Sequence, residues 1–175
     1  MSAKSASREF GFGAIAAMAG GHAEARAIQV ALKLGIFEAL SEAMLDETAL
    51  ANRIGTDIRA TGLLANALSV LGLLHKNDRR FALTDSSRRY LLRASSEYLG
   101  GMILFDGGLW EVWGRLEDTI RSGRPARTPD MFQGTADETA RFIRAMDSLV
   151  RARGDAAWVA DNLDLSKVRH VADLG

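Results

Sequence analysis

The chain has 175 residues, 47% hydrophobic and 25% charged, enough to bury the core of one domain and to leave room for a small second one. Its 22 basic and 22 acidic residues cancel to a formal net charge of +0, so no global field draws it to nucleic acid or a membrane. There is no cysteine and no apolar run of membrane-spanning length, and the opening MSAKSASREFGFG lacks the apolar core of a signal peptide. Disulfides, thiolate metal sites and a transmembrane helix are thereby excluded, and a soluble cytoplasmic protein is expected.

In chain order, Phe10–Ala19 reads as a short alanine-rich helix broken by Gly20-Gly21, and a second helix runs from His22 to Leu34 with Ala27, Ile28, Ala31 and Leu32 inward. Gly35 ends it, and Ile36, Phe37 and Leu40 extend the apolar surface. Asp46 caps a helix burying Leu50 and Ile54 and closing at Gly55; Asp57 caps the next, with Ala60, Leu64, Ala67, Leu68 and Leu71 on its inner face and Gly72 at its end. Two short apolar runs, Leu73–His75 and Phe81–Leu83, flank the polar turn Asn77–Arg80 as a hairpin. Thr84 caps a further helix whose Tyr90, Leu91 and Leu92 point inward. Three helices and a hairpin in this order suggest a winged-helix-like unit.

Beyond it, a helix is predicted over Leu109–Arg121, with Trp110, Trp113, Leu116 and Ile120 on one face, stopped by Gly123 and Pro125. A loop holding both prolines follows, and Asp137 opens a long helix through Phe142, Met146 and Leu149 toward Ala160. The closing VRHVADLG predicts a buried-type strand, Arg169–Leu174. A strand ending in an acid and a glycine ordinarily feeds a glycine-rich turn and a helix whose N-terminal amides bind a nucleotide-like ligand.

Several passages taken together carry a resemblance: ALKLGIFEAL, ALANRIGTD, LLANALSVLGLL, FALTDSSRRYLL, WEVWGRLEDTIRSGRP, ARFIRAM and VRHVADLG. Their order and spacing, from about Ala27 onward, resemble the N-terminal half of plant- and bacterial-type S-adenosylmethionine-dependent small-molecule O-methyltransferases. The resemblance implies a mainly α chain in three parts. These are a winged-helix-like dimerisation domain at 1–100, a helical connector lining the acceptor pocket at 101–165, and the truncated first strand of a Rossmann-like methyltransferase domain at 166–175. It implies a homodimer through the N-terminal helices and a small aromatic or polyketide-like methyl acceptor. Asp173 and Gly175 would open the cofactor loop. Phe142 and Met146, one turn apart, would face the acceptor with Trp110. The family's later glycines, ribose-binding acid and histidine base have no counterpart here, so no catalytic residue is assigned, and neither cofactor binding nor methyl transfer is expected of these 175 residues alone.

The rival reading is a winged-helix transcriptional regulator. A reading helix needs cations for phosphates and bases, and Asp57–Gly72 offers only Arg59, so no nucleic-acid partner is expected. Trp113 is expected in the core. The three histidines, His22, His75 and His170, have no ligand-spaced neighbours, so no metal site is expected. Asp46, Glu47 and Asp57 read as helix caps and first-turn charges.

Overall fold

A computed structural model of the chain describes residues 10–127, 134–164, 166–170 and 172. The first helix, α1 (Phe12–Leu34), is continuous. Gly20-Gly21 does not break it, although each glycine costs roughly 1 kcal/mol relative to alanine in a helix interior. Alanines surround the pair, and the C-terminal half is anchored by packing against later helices. Gly35, at φ 79°, ends α1 and starts the single turn α2 (Ile36–Ala39), which drives Ile36, Phe37 and Leu40 to full burial.

Local chemistry then sets the element boundaries as expected. Strand β1 (Leu45–Asp46) leads into α3 (Glu47–Ile54), whose cap Asp46 accepts a 2.8 Å hydrogen bond from the Ala49 amide. Asp57 does the same for α4 (Ile58–Val70) through Ala60, also at 2.8 Å. After Gly72 the chain makes the hairpin β2 (Leu74–Asn77) and β3 (Arg80–Leu83), turning at Asp78 with φ 52°. Thr84 caps α5 (Asp85–Leu91) by accepting from the Ser87 amide. The sheet has three antiparallel strands in the order β1-β3-β2, with Leu45 opposite Phe81 and Leu74 opposite Leu83. A two-residue strand such as β1 carries no periodicity, and sequence reading misses it.

One core unites these elements: Ala31, Phe37, Leu40, Leu50, Leu68, Phe81 and Leu91 are buried together. The inner face of α4 differs from the expected one. Thr61, Gly62, Ala65 and Leu68 are buried, whereas Ala60 and Ala67 are exposed. Small residues decide this. A side chain on Gly62 would sit 2.7 Å from a Glu47 carboxylate oxygen, so glycine lets α4 pack against α3 without displacing the Glu47 side chain. Thr61 is tolerated inside because its hydroxyl bonds the Asp57 carbonyl and the Thr56 hydroxyl.

The second half departs further from expectation. Residues 100–108, unassigned from sequence because four of nine are glycine, form α6 (Gly100–Gly108). The predicted Leu109–Arg121 helix splits into α7 (Trp110–Gly114) and α8 (Leu116–Ser122), with Arg115 off helical geometry at φ −99°, ψ 13°. Its Trp110, Trp113, Leu116 and Ile120 are 39%, 65%, 48% and 76% exposed, so Trp113 is not a core residue. The long helix α9 (Ala136–Arg153) starts one residue earlier than expected, on a Thr135–Glu138 capping box, and Gly154 at φ 73° separates it from α10 (Asp155–Asn162). Of the predicted strand Arg169–Leu174, residues Arg169, His170 and Ala172 carry no strand pairing; Val171, Asp173 and Leu174 lie outside the described residues, as does Gly175.

Candidate functional site

Helix α6 bridges the two halves, packed against α1 on one side and α9 on the other. Its glycines make this possible. A Cβ on Gly101 would meet the Ser148 side chain at 3.0 Å and the Arg144 carbonyl at 3.3 Å, and one on Gly107 would meet Gln29 at 3.2 Å. The Ser148 hydroxyl, buried, accepts from the Met102 amide at 3.0 Å, a bond that amide shares with the Leu99 carbonyl at 3.1 Å, so α9 is tied to the first turn of α6. The preceding loop is held by paired hydrogen bonds from the Arg89 guanidinium to the Glu97 carboxylate and by the Leu99 amide bonding the Tyr90 carbonyl. Tyr98 lies under Gly100, and burial pushes its hydroxyl above the ordinary tyrosine range.

Between α6 and α9 opens a cavity of about 520 Å³. Its apolar wall is Gly101, Leu104, Phe105, Gly108 and Leu109, and its polar rim is Arg127, Glu138, Arg141 and Arg144. Glu138 is committed: its carboxylate accepts from the Thr135 amide and hydroxyl and faces Arg127 at 3.6 Å. Arg141 and Arg144 make no ion pair among the described residues. The rim therefore carries an excess of positive charge over an apolar floor.

None of the described residues singled out from sequence lines this cavity directly. The Phe142 ring lies 5.7 Å from that of Phe105 in a tilted arrangement, so Phe142 backs the lining from a second layer. Met146, one turn later, is half-buried. Trp110 faces elsewhere, with the Arg26 guanidinium 5.2 Å over its ring. Asp173 and Gly175 lie outside the described residues. The lining arginines were missed by the sequence reading. Arg141 and Arg144 flank Phe142 in ARFIRAM, and their spacing of three was the available signal.

A second, more polar hollow of about 630 Å³ lies beside the hairpin. There Asp46 caps α3 and Glu47 pairs with Arg79 at 3.0 Å, so both acids serve the fold. Among the described residues no cluster of His, Asp and Glu could hold a metal ion, and no helix is long and apolar enough to cross a membrane.

The family model described as the O-methyltransferase dimerisation domain matches residues 16–93. Over that stretch the chain is similar to this domain family. The matched domain runs from α1 through α5, and similarity continues past it. The chain is 32% identical over 157 residues to the tetracenomycin polyketide synthesis 8-O-methyl transferase TcmO of Streptomyces glaucescens, covering 86% of this chain and 45% of that protein. It is 28% identical over 151 residues to 3-hydroxy-5-methyl-1-naphthoate 3-O-methyltransferase of Streptomyces sahachiroi, covering 85% and 44%. Against acetylserotonin O-methyltransferase of Bos taurus it is 29% identical over 182 residues, covering 94% and 52%. Human N-acetylserotonin methyltransferase, in a structure with SAM, superposes with a TM-score of 0.76 over 92% of this chain and 51% of that one; at 24% identity this shows a shared fold. The chain spans about half the length of these relatives. Nothing in these likenesses supports the transcriptional-regulator reading.

Proposed function

We propose that this chain is the dimerisation and acceptor-pocket module of an S-adenosylmethionine-dependent O-methyltransferase whose acceptor is a small aromatic or polyketide-like metabolite, and that it pairs through its N-terminal helix. The winged-helix-like unit spans about 1–100, the connector about 101–165, and 166–175 begins the Rossmann-like methyltransferase domain. Cytoplasmic location belongs to the same reading. The names of the relatives support the reaction and the acceptor class.

The observation that carries the pairing is α1 itself. Its C-terminal half packs into the core, whereas Phe12, Ile15 and Met18 are 89%, 58% and 69% exposed. Large apolar side chains grouped on one helix end mark a surface that another chain covers.

In this reading Phe142 and Met146 support the wall of the acceptor cavity, Asp173 with Gly175 opens the cofactor loop, and Trp110, which packs under Arg26 away from the cavity, has no part in it. The cavity between α6 and α9 does not itself fit the cofactor, because its rim is cationic and would repel a sulfonium. No methyl-transfer step is therefore assigned to residues of this chain.

Sedimentation equilibrium at micromolar concentration tests the pairing. A dimer is expected, converting to monomer on F12E/I15E/M18E or on deletion of residues 1–19. A monomer whose mass neither change alters sinks the proposal.

A further inference from the structure

We infer that the cavity between α6 and α9 selects an acceptor bearing an anionic substituent, such as a carboxylate, on an apolar ring system. This deepens the acceptor-pocket reading and rests on it. Arg141 and Arg144 sit three residues apart on α9, so their side chains are neighbours on one helix face. Both line the cavity, and among the described residues neither is paired with an acid. Among the described residues the rim's one carboxylate, Glu138, is already engaged by Thr135 and Arg127. Two like charges on one helix face, exposed and without an acidic partner among the described residues, favour an anion placed between them. The planar fork of arginine matches a carboxylate with two parallel hydrogen bonds.

The floor supplies the other half of the recognition. Leu104, Phe105 and Leu109 offer an apolar surface, and Gly108, with nothing within 4 Å of where a Cβ would stand, leaves the α6 backbone open to close approach by a flat ring. The Phe105 ring is itself held by Phe142. An apolar body laid on α6 with its acid group toward α9 satisfies both walls. A neutral ring would use the floor and leave the rim's charges uncompensated.

The test uses 1-naphthoate and its methyl ester as probes, with the amides of Gly101, Gly108 and Leu109 followed by nitrogen–proton correlation spectra of the 175-residue chain. Saturable shifts are expected with 1-naphthoate, with the ester at least about tenfold weaker, and added salt should weaken only the acid. R141Q/R144Q should lower naphthoate affinity about tenfold or more while leaving the ester titration and the spectral dispersion unchanged. R144K should fall between, since lysine keeps the charge and loses the fork. Equal binding of acid and ester overturns the anion subsite and leaves the pocket reading standing. Naphthoate binding that the double variant does not weaken overturns it as well, because the anion is then held elsewhere. If neither probe shifts these amides while sedimentation still gives a dimer, the subsite and the pocket reading both fall and the pairing survives.

Discussion

The two halves of this molecule are built in different ways. From α2 to α5, helices and sheet converge on a single core in which Phe37, Leu50, Leu68 and Phe81 are at most 2% exposed. From α7 to α10 the chain is helical with little inside: α7, α8 and α10 bury no residue, and α9 buries only Ala145 and Ser148. The first half is specified by what it encloses. The second is held by caps and by α6, and presents its apolar side chains outward, as a surface shaped to be completed by other groups. On the proposed reading, a pairing unit joined to a pocket wall would need this division, since a wall that buried its own apolar face would have none to offer.

The largest expected effect sharpens the contrast directly. Leu50→Ala empties a fully buried site and should cost about 2–5 kcal/mol, whereas Trp113→Ala, at 65% exposure, should stay within about 0.5 kcal/mol. Urea unfolding of both variants checks this. Comparable losses would mean that the second half has a core of its own.

Glycine replacements test the α6 bridge. Gly101→Val pushes against Ser148 and the Arg144 carbonyl and should cost about 1–3 kcal/mol by overpacking α6 against α9. Gly20→Ala and Gly21→Ala meet nothing within 4 Å and should each stabilise α1 by about 0.5–1 kcal/mol. Thermal melts should therefore move in opposite directions. A stabilising Gly101→Val would show that α6 and α9 are not in close contact.

A smaller effect is expected from the cap of α9. Thr135→Ala removes the acceptor for the Glu138 amide and should cost about 1 kcal/mol. It also frees the Glu138 carboxylate from its hydroxyl partner, so the loss should appear as lower helix content and a shift of the Arg127 side-chain resonances.

The smallest effect concerns pH. Hydrogen bonding from Arg89, with its positive charge, holds the Glu97 carboxyl below the ordinary carboxylate value. A carboxyl lowered in the folded state contributes stability that is present above its unfolded pKa and is lost as pH falls through the folded one. The native chain should therefore melt slightly above Glu97→Gln at neutral pH and converge with it in acid, below the carboxylate range near about 4. A gap that persists in acid would remove the Arg89 pairing as its cause.

The helix boundaries of the first half were legible in the residues because a cap is a local device. Asp46, Asp57 and Thr84 each bond an amide three residues on, and Gly35, Gly55 and Gly123 take the left-handed conformation that ends a helix. Nothing beyond one turn of chain is needed for either. The inward faces of α1 and α3 were legible too, with Ala31, Leu32 and Leu50 buried as expected; what lay beyond the sequence was how the glycine-rich and second-half helices meet their neighbours. Gly20-Gly21 reads as a break until the rest of α1 is anchored, and GGMILFDGG reads as no helix until Ser148 and Gln29 stand against its glycines. Trp113 reads as core, yet it is 65% exposed. For the cavity, ARFIRAM advertised Phe142 and Met146 by their hydrophobicity, but lining was decided by the crossing of α9 over α6, which placed Arg141 and Arg144 on the rim. Hydrogen bonds that close within four residues are written in the residues themselves; burial depends on the partner surface, and only the tertiary structure supplies it.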